Sequence, residues 1–518
     1  MTFERSKRGH AGEDRHEEEH HKSRRDFLRN TGVALGGLSL LGMPELSALG
    51  QMPDNCAPLK PTSCAPLTGT AVNFTPDTSF TVRLRKPAAD LTSAEVDRLR
   101  RAVQRMCDLT NSSNWAKPIA WMQQANVHCF NCAGDARDIH NSYWFLPWHR
   151  AYLYFWERIL CFLAGDKTLA IPYWNWYDQT TPAKYRVIPP PYNAPSDRTN
   201  ALWDGKRWPT PTAQIPDYIV NANACQQVMV QANSFALFGG TASGGGAMEF
   251  GPHGRIHMWT GRHTSNPEDM GILATAARDP IFFCHHGCID YLWAVWNSCN
   301  SNHVNPTWNA TWMSHRWTFW DVNFNTGQPV LRSISVRDVL NTATSLRYKY
   351  NLSGNCCGTA VGAAPFTGQE TRVQIHQRSV KQRVSVAPQV RTRIRSMSVA
   401  PGVAPRRAYS LVIEGLQASR DETFTVHVFA DLPGEATDAA IQGPNYQGYF
   451  TFVAHNYAAA GHTHRRRPST VTLPVSDRIA KFLQNKGDFS VTLVPVDSEE
   501  QPLDIQLTYR RLFLQEQQ

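Results

Sequence analysis

The chain has 518 residues, 42% of them hydrophobic and 11% aromatic, with 16 Trp, 33 Gly and 33 Pro. That is ample material for a large core and excludes a disordered or collagen-like polymer. A formal charge of +9 invites a nucleic-acid or acidic-membrane reading, but residues 371–407 hold Arg372, Arg378, Lys381, Arg383, Arg391, Arg393, Arg395, Arg406 and Arg407 with no Asp or Glu, and so carry the whole excess. The rest of the chain is close to neutral, and no nucleic-acid partner is expected.

Residues 1–22 are charged and His-rich, without a pattern that could pack. Ser23-Arg24-Arg25-Asp26-Phe27-Leu28 and a weakly apolar, Gly-containing run over 33–43 follow. Paired arginines before Phe-Leu and a short apolar run have the form of a twin-arginine export signal. Residues 1–50 are therefore expected to be a leader, the export machinery a partner, and the mature chain periplasmic or secreted. No segment reaches spanning length, so stable membrane insertion is not expected.

Over 91–106, Leu91, Val96, Leu99, Val103 and Met106 recur at helical spacing, with Thr92 and Ser93 as caps. A second helix is predicted from Pro147 through Leu163, and a third from Asp279-Pro280 through Trp296. Both are aromatic on most faces, which points to central burial. After Arg407 the texture changes to strands, among them Leu411-Val412-Ile413, Thr423-Phe424-Thr425-Val426-His427-Val428-Phe429 and Val491-Thr492-Leu493-Val494. The acid-free stretch carries Pro388, Pro401 and Pro405 and reads as an extended linker. The expected order is a leader over 1–50, a mainly α, helical-bundle core with loop-rich surroundings over 51–355, a basic linker over 356–407, and a separate β-sandwich-like domain over 408–518.

Two groups of histidines stand out in the helical part: His128, His140 and His149, then His253, His257, His285 and His286. His253 and His257 are four apart, so on a helix they share one face. All-imidazole sites suit Cu, Zn, Fe or Ni, and no Cys quartet or paired carboxylates compete for that role. Zinc there could hydrolyse and copper could oxidise; the many Trp, Tyr and Phe around the histidines favour redox chemistry.

The segments Ile139-His140-Asn141-Ser142-Tyr143-Trp144-Phe145-Leu146-Pro147-Trp148-His149-Arg150, Pro252-His253-Gly254-Arg255-Ile256-His257-Met258-Trp259 and Asp279-Pro280-Ile281-Phe282-Phe283-Cys284-His285-His286, with His128-Cys129-Phe130-Asn131-Cys132 before them, resemble the type 3 copper proteins. These are the tyrosinases, catechol oxidases and haemocyanins, and the likeness is greatest to plant-type polyphenol oxidase. With a twin-arginine leader, the resemblance implies a bacterial member. It implies two copper ions, one on His128, His140 and His149 and one on His253, His257 and His286, with His285 behind its neighbour. It implies a thioether from Cys132 to His140 and a disulfide from Cys129 to Cys64 or Cys56. It implies oxidation of small phenols or o-diphenols by O2 to o-quinones, with monophenol hydroxylation left open. An oxygen-binding protein without turnover and a zinc hydrolase remain the alternatives.

In that family Glu249 would hold a water acting as base, yet the position of its usual Asn partner is Gly254. Met258 would line the entrance, Leu273 replaces a gating Phe, and Tyr291 replaces the Arg usual after Asp290, which removes a buried ion-pair option. The C-terminal domain would be a lid keeping the enzyme latent, 371–407 its protease-accessible tether, and Tyr446 its plug. Cys107, Cys161 and Cys284 are expected to be packed thiols.

Overall fold

The computed structural model describes residues 64, 66–111, 118–132, 139–193, 200–210, 212–220, 225, 227–261, 269–352, 371–386, 388–389, 392, 409–441, 443–455, 468–475 and 488–516. The leader with Arg24 and Arg25, and Cys56, lie outside the described residues.

Among the described residues the longer helices of the core are α1 (Ser93–Asn111), α2 (Trp121–Phe130), α3 (Phe145–Ala164), α4 (Gly254–Gly261) and α5 (Ile281–Cys299). α1 starts where its sequence dictates, because Thr92 Oγ1 accepts from the Glu95 N–H while the Glu95 carboxylate accepts from the Thr92 N–H, a reciprocal capping box. α3 begins two residues before Pro147, which fits in the first turn, and stops at Gly165, whose φ of 67° favours glycine. α5 starts behind Asp279, whose Oδ1 accepts from the Ile281 N–H and whose carboxylate is gripped by Arg207. α2 has no apolar stripe in sequence because even Gln123, Gln124 and Asn126 are buried, so hydrophobic periodicity did not reveal it.

α3 and α5 are buried over nearly all of their surface. Trp156 of α3 stacks on Phe283 of α5 with ring centroids 3.8 Å apart. Such aromatic contacts hold the two helices at a fixed distance, and fixed helices are what a multi-ligand site requires. Asp290 anchors the lower part of α5. It accepts from Arg150, Arg85, Tyr348 and Tyr350, and these partners hold its carboxyl below the usual range against the cost of burial. Arg85 and Arg150 reach Asp290 from distant segments, and Tyr291, at the position after it, stacks on Tyr173.

The core carries five short strands: β1 (Val72–Asn73), β2 (Arg83–Arg85), β3 (Arg316–Val322), β4 (Pro329–Ser335) and β5 (Tyr348–Tyr350). The C-terminal domain comprises β6 (Arg372–Gln374), β7 (Val380–Ser385), β8 (Tyr409–Ala418), β9 (Phe424–Ala430), β10 (Asp438–Ala440), β11 (Tyr446–Phe452), β12 (Ser469–Pro474), β13 (Asp488–Val496), β14 (Leu507–Thr508) and β15 (Arg511–Glu516). One sheet has the order β11-β9-β13-β7, and β12-β8-β14 with β15 on β8 forms the other. Leu411, Ile413, Val426, Val428, Val471, Val491 and Leu493 belong to a common core fed by both sheets, a β-sandwich arrangement.

Over residues 371–386 the linker expectation is overturned, while most of 387–407 lies outside the described residues. β6 pairs with β10 and β7 pairs with β13, so residues 371–386 are part of the sheet domain. Within the stretch itself there are no acids. The acids lie elsewhere in the fold: Arg372 meets Asp438, Arg378 meets Asp504 and Arg383 meets Asp488. β7 sits at a sheet edge, where charged side chains discourage further strand addition.

A buried cage of histidines beneath a strand

The backbone brings both histidine groups to one place. His128 stands on α2, His140 on the loop before α3, His149 on α3, His253 at the end of the turn leading into α4, His257 within α4, and His286 on α5. Glu249–His253 forms a wide π-type turn with a non-helical Gly251 and with Pro252 inside, and α4 follows directly. That break interrupts the simple helix expected from the four-residue spacing but keeps both rings directed inward.

The rings of His128, His140 and His149 form a near-equilateral triangle, with centroids 5.4, 5.6 and 5.4 Å apart. Those of His253, His257 and His286 lie 4.6, 5.1 and 5.8 Å apart. The two groups touch where His149 stacks on His286, at a centroid distance of 4.0 Å. Candidate ligand atoms of His253, His257, His285 and His286 fall within 4.8 Å of one another, as do those of His128, Cys132 and His140. Phe145 and Phe282 wall the cage, each against several of its rings.

Hydrogen bonds fix which nitrogen each ring presents. His149 Nδ1 donates to the Phe145 carbonyl, His253 Nδ1 to that of Glu249, and His257 Nδ1 to that of Met270. The Nε2 atoms of these three are buried and have no hydrogen-bond partner among the described residues, as is also true of His286. A buried lone pair left unused is costly, and imidazoles oriented through Nδ1 are the usual form of metal ligands. His285 differs. Trp176 Nε1–H, which can only donate, donates to its Nδ1; the neutral ring then carries its proton on Nε2 and offers no lone pair to a metal. Burial, reinforced by neighbouring imidazoles, pushes His128, His149, His253, His285 and His286 well below the ordinary histidine range, and burial holds His257 at about 3. The rings are thus neutral and suited to binding a metal.

Beside the cage lies a pocket lined by His140, Asn141, Glu249, Phe250, His253 and Leu273 from the core, and by Thr451, Phe452, Val453 and His455 from the C-terminal domain. Glu249 is buried, and its Oε1 accepts from the Asn141 N–H at 2.6 Å. Leu273 packs against Cys132 and Val453. Cys132 Sγ is 3.4 Å from both ring nitrogens of His128. Cys64 and Cys129 form a disulfide. Cys161 and Cys284 are free and buried, but Cys107 is disulfide-bonded, a correction that helix periodicity could not supply.

Two further expectations fail. Tyr446 is no plug: it lies within β11, and its hydroxyl meets His427 Nδ1 at 3.0 Å inside the sheet domain. The roof is the end of β11 and the residues after it. The bulge between Tyr446 and Gly448 shifts the strand register ahead of that end. Met258 does not line the pocket; its sulfur faces Thr425 of β9. It sits on the side of α4 turned towards the sheets, a direction sequence alone does not reveal.

The roof is tied down at several points. The Leu273 N–H donates to the Ala454 carbonyl, Thr423 Oγ1 to the Gly271 carbonyl and Tyr449 Oη to the Ile219 carbonyl. Arg255 of α4, midway between His253 and His257, crosses into the sheet domain, where it pairs with Glu500 and donates to Thr425. Glu500 also meets His427. Against the opposing effect of burial, Arg255 and His427 lower Glu500 to about 2. None of this was legible in the sequence, because Glu500 and His427 carry no motif.

Comparison with known proteins gives the same outline. A family model described as the common central domain of tyrosinase matches residues 118–212 and 189–299. The chain is 28% identical over 514 residues to aureusidin synthase of Antirrhinum majus, covering 89% of this chain and 86% of that one. It is 28% identical to a chloroplastic polyphenol oxidase of Malus domestica, covering 86% and 79%. Among solved structures, latent apple tyrosinase superposes with a TM-score of 0.66 at 25% identity, covering 86% of this chain and all of that one. Latent aurone synthase gives 0.68 at 24% identity, covering 88% and 93%. No helix among the described residues is long and apolar enough to cross a membrane.

Proposed function

The chain belongs to the tyrosinase family of type 3 copper proteins, a family of oxidoreductases, and from that premise we propose that it oxidises phenols and o-diphenols to o-quinones with O2 and is latent until its sheet domain moves. The copper ions would be held by His128, His140 and His149 and by His253, His257 and His286. The observation that carries this reading is the set of neutral, buried imidazoles whose unused Nε2 atoms converge where two ring triangles meet. A copper pair in that cage supplies dioxygen binding and a one-electron change at each ion.

The chain's own residues do the rest. The carbonyls of Phe145, Glu249 and Met270 fix ring orientation, which keeps the ligand geometry from relaxing during redox change. Phe145 and Phe282 exclude water. Glu249, at the pocket wall, is placed to accept the phenol proton. Cys132 lies close enough to the first triangle for a thioether to His140, which would show as an intact mass lower by two hydrogens. The Arg24-Arg25 leader supports export of the folded chain. Latency rests on Thr451, Phe452, Val453 and His455, which line the pocket beside Glu249 and His253.

Metal analysis combined with oxygen-uptake assays tests the proposal. Two copper ions per chain and O2 consumption with a catechol, measured after limited proteolysis, are the expected results. Full copper occupancy with reversible O2 binding and lasting inactivity towards catechols would instead mark an oxygen-binding protein, and zinc with hydrolysis would mark the third alternative.

A further inference from the structure

Position 254, where the resemblance places an Asn beside Glu249, is a glycine. A Cβ built on Gly254 would stand 2.9 Å from Thr451 Cβ, so the roof occupies the space that a side chain there would need. A seated roof and a side chain at 254 compete for the same volume.

On the other side of the carboxylate stands Asn141, directly after His140. Its φ of 56° lies in the left-handed region, where Asn is among the few residues commonly tolerated. That turn brings its backbone N–H to 2.6 Å from Glu249 Oε1. Asn141 lines the same pocket as Glu249, His140 and His253. Asn141 Oδ1 accepts from Ser469 Oγ of β12 at 3.3 Å, which leaves the donating Nδ2 end without another partner among the described residues. One residue thus grips the carboxylate through its backbone and lines the pocket that the carboxylate shares.

We propose that Asn141 is the positioning residue that sets specificity for monophenols, doing from the first histidine group what position 254 cannot do from the second. Its backbone N–H fixes one oxygen of Glu249, and its side-chain amide, with the other oxygen, holds the water that receives the proton of an incoming phenol. In that step the phenol O–H bond breaks and its electron pair stays on the phenolate oxygen. The proton passes to the water while the water gives one of its own to Glu249, and nothing is oxidised. A catechol depends less on this help because its second hydroxyl stabilises the anion internally. The proposal rests on the phenol-oxidase reading.

Asn141→Gly tests it, because glycine keeps the positive φ and the N–H to Glu249 and deletes only the amide. In the copper-loaded full chain after limited proteolysis, monophenol kcat/KM should fall about tenfold while diphenol kcat/KM stays within about twofold and copper content is unchanged. A second readout needs no turnover: in zinc-loaded protein, bound 4-nitrophenol should ionise about one pH unit higher in N141G than in wild type, as a tenfold weaker base site requires. An unchanged substrate ratio with an unmoved nitrophenol titration would overturn the proposal. Equal loss on both substrates, or loss of metal, would also overturn it by marking a merely structural role. If the proteolysed wild type failed to oxidise catechols, the phenol-oxidase reading would fall, and the nitrophenol titration would still judge Asn141.

Discussion

The cage and its roof are built on different principles. In the cage, His149, His253 and His257 are each oriented by a carbonyl four to thirteen residues away in sequence, and the helices that carry them are locked by buried aromatic contacts. The roof belongs to another domain and is held through the Leu273–Ala454 backbone hydrogen bond, side-chain hydrogen bonds from Thr423 and Tyr449, packing at Val453, and a buried ion pair at Arg255. A site whose walls are held locally and whose cover is held across domains can lose the cover without losing its geometry. That separability is what the proposed latency requires.

Damage to the walls should be most severe. His149→Ala and His257→Ala remove one ring from different triangles, so either variant should lower copper from two ions to one per chain and abolish phenol oxidation, as metal analysis and O2 uptake would show. Removing the metal should expose the cost of keeping so many imidazoles neutral. Their folded pKa values lie below the ordinary 6.5, so the unfolded chain takes up protons first as pH falls. The contribution of these rings to stability is complete above about 6.5 and declines in acid. Thermal melts of the metal-free chain should therefore lose Tm steeply from pH 7 to pH 5, and copper-loaded protein should melt higher than the metal-free chain at pH 7.

Breaking the roof's attachments should leave the walls intact. Glu500→Gln strands the Arg255 guanidinium in a buried interface, a loss of about 3–5 kcal/mol when one partner of a buried pair is removed. Uncut E500Q should then oxidise catechol faster than uncut wild type at equal copper content. Val453→Ala removes two methyls from the contact with Leu273 and Cys132, worth about 1.5–2 kcal/mol at ~0.8 kcal/mol per buried carbon. It should give a smaller gain in uncut activity. A loss of copper in either variant would show that roof and walls are not separable.

The same contrast explains what the sequence made legible. The histidines, Glu249 and the flanking aromatic motifs could be read because ligand chemistry demands particular residue types at short spacings. The ends of α1, α3 and α5 could be read because Thr92, Gly165 and Asp279 have local geometric roles. α2 was hidden by being buried on every side. The roof was misassigned to Tyr446 because a phenol side chain suggests substrate mimicry, whereas the hydroxyl is taken up by His427. Residues 371–386 were read as a tether because their counter-charges, Asp438, Asp504 and Asp488, lie 66 to 126 residues away in sequence. Partnerships over such distances leave no pattern in a single chain.

The most direct test is catechol oxidation by the copper-loaded full-length chain before and after limited proteolysis, with copper measured in both samples. Low activity that rises severalfold on cleavage at a constant two copper ions per chain is the predicted result. Equal activity before and after cleavage, with copper fully retained, would contradict the view that β11 and the residues following it close a finished oxidation site.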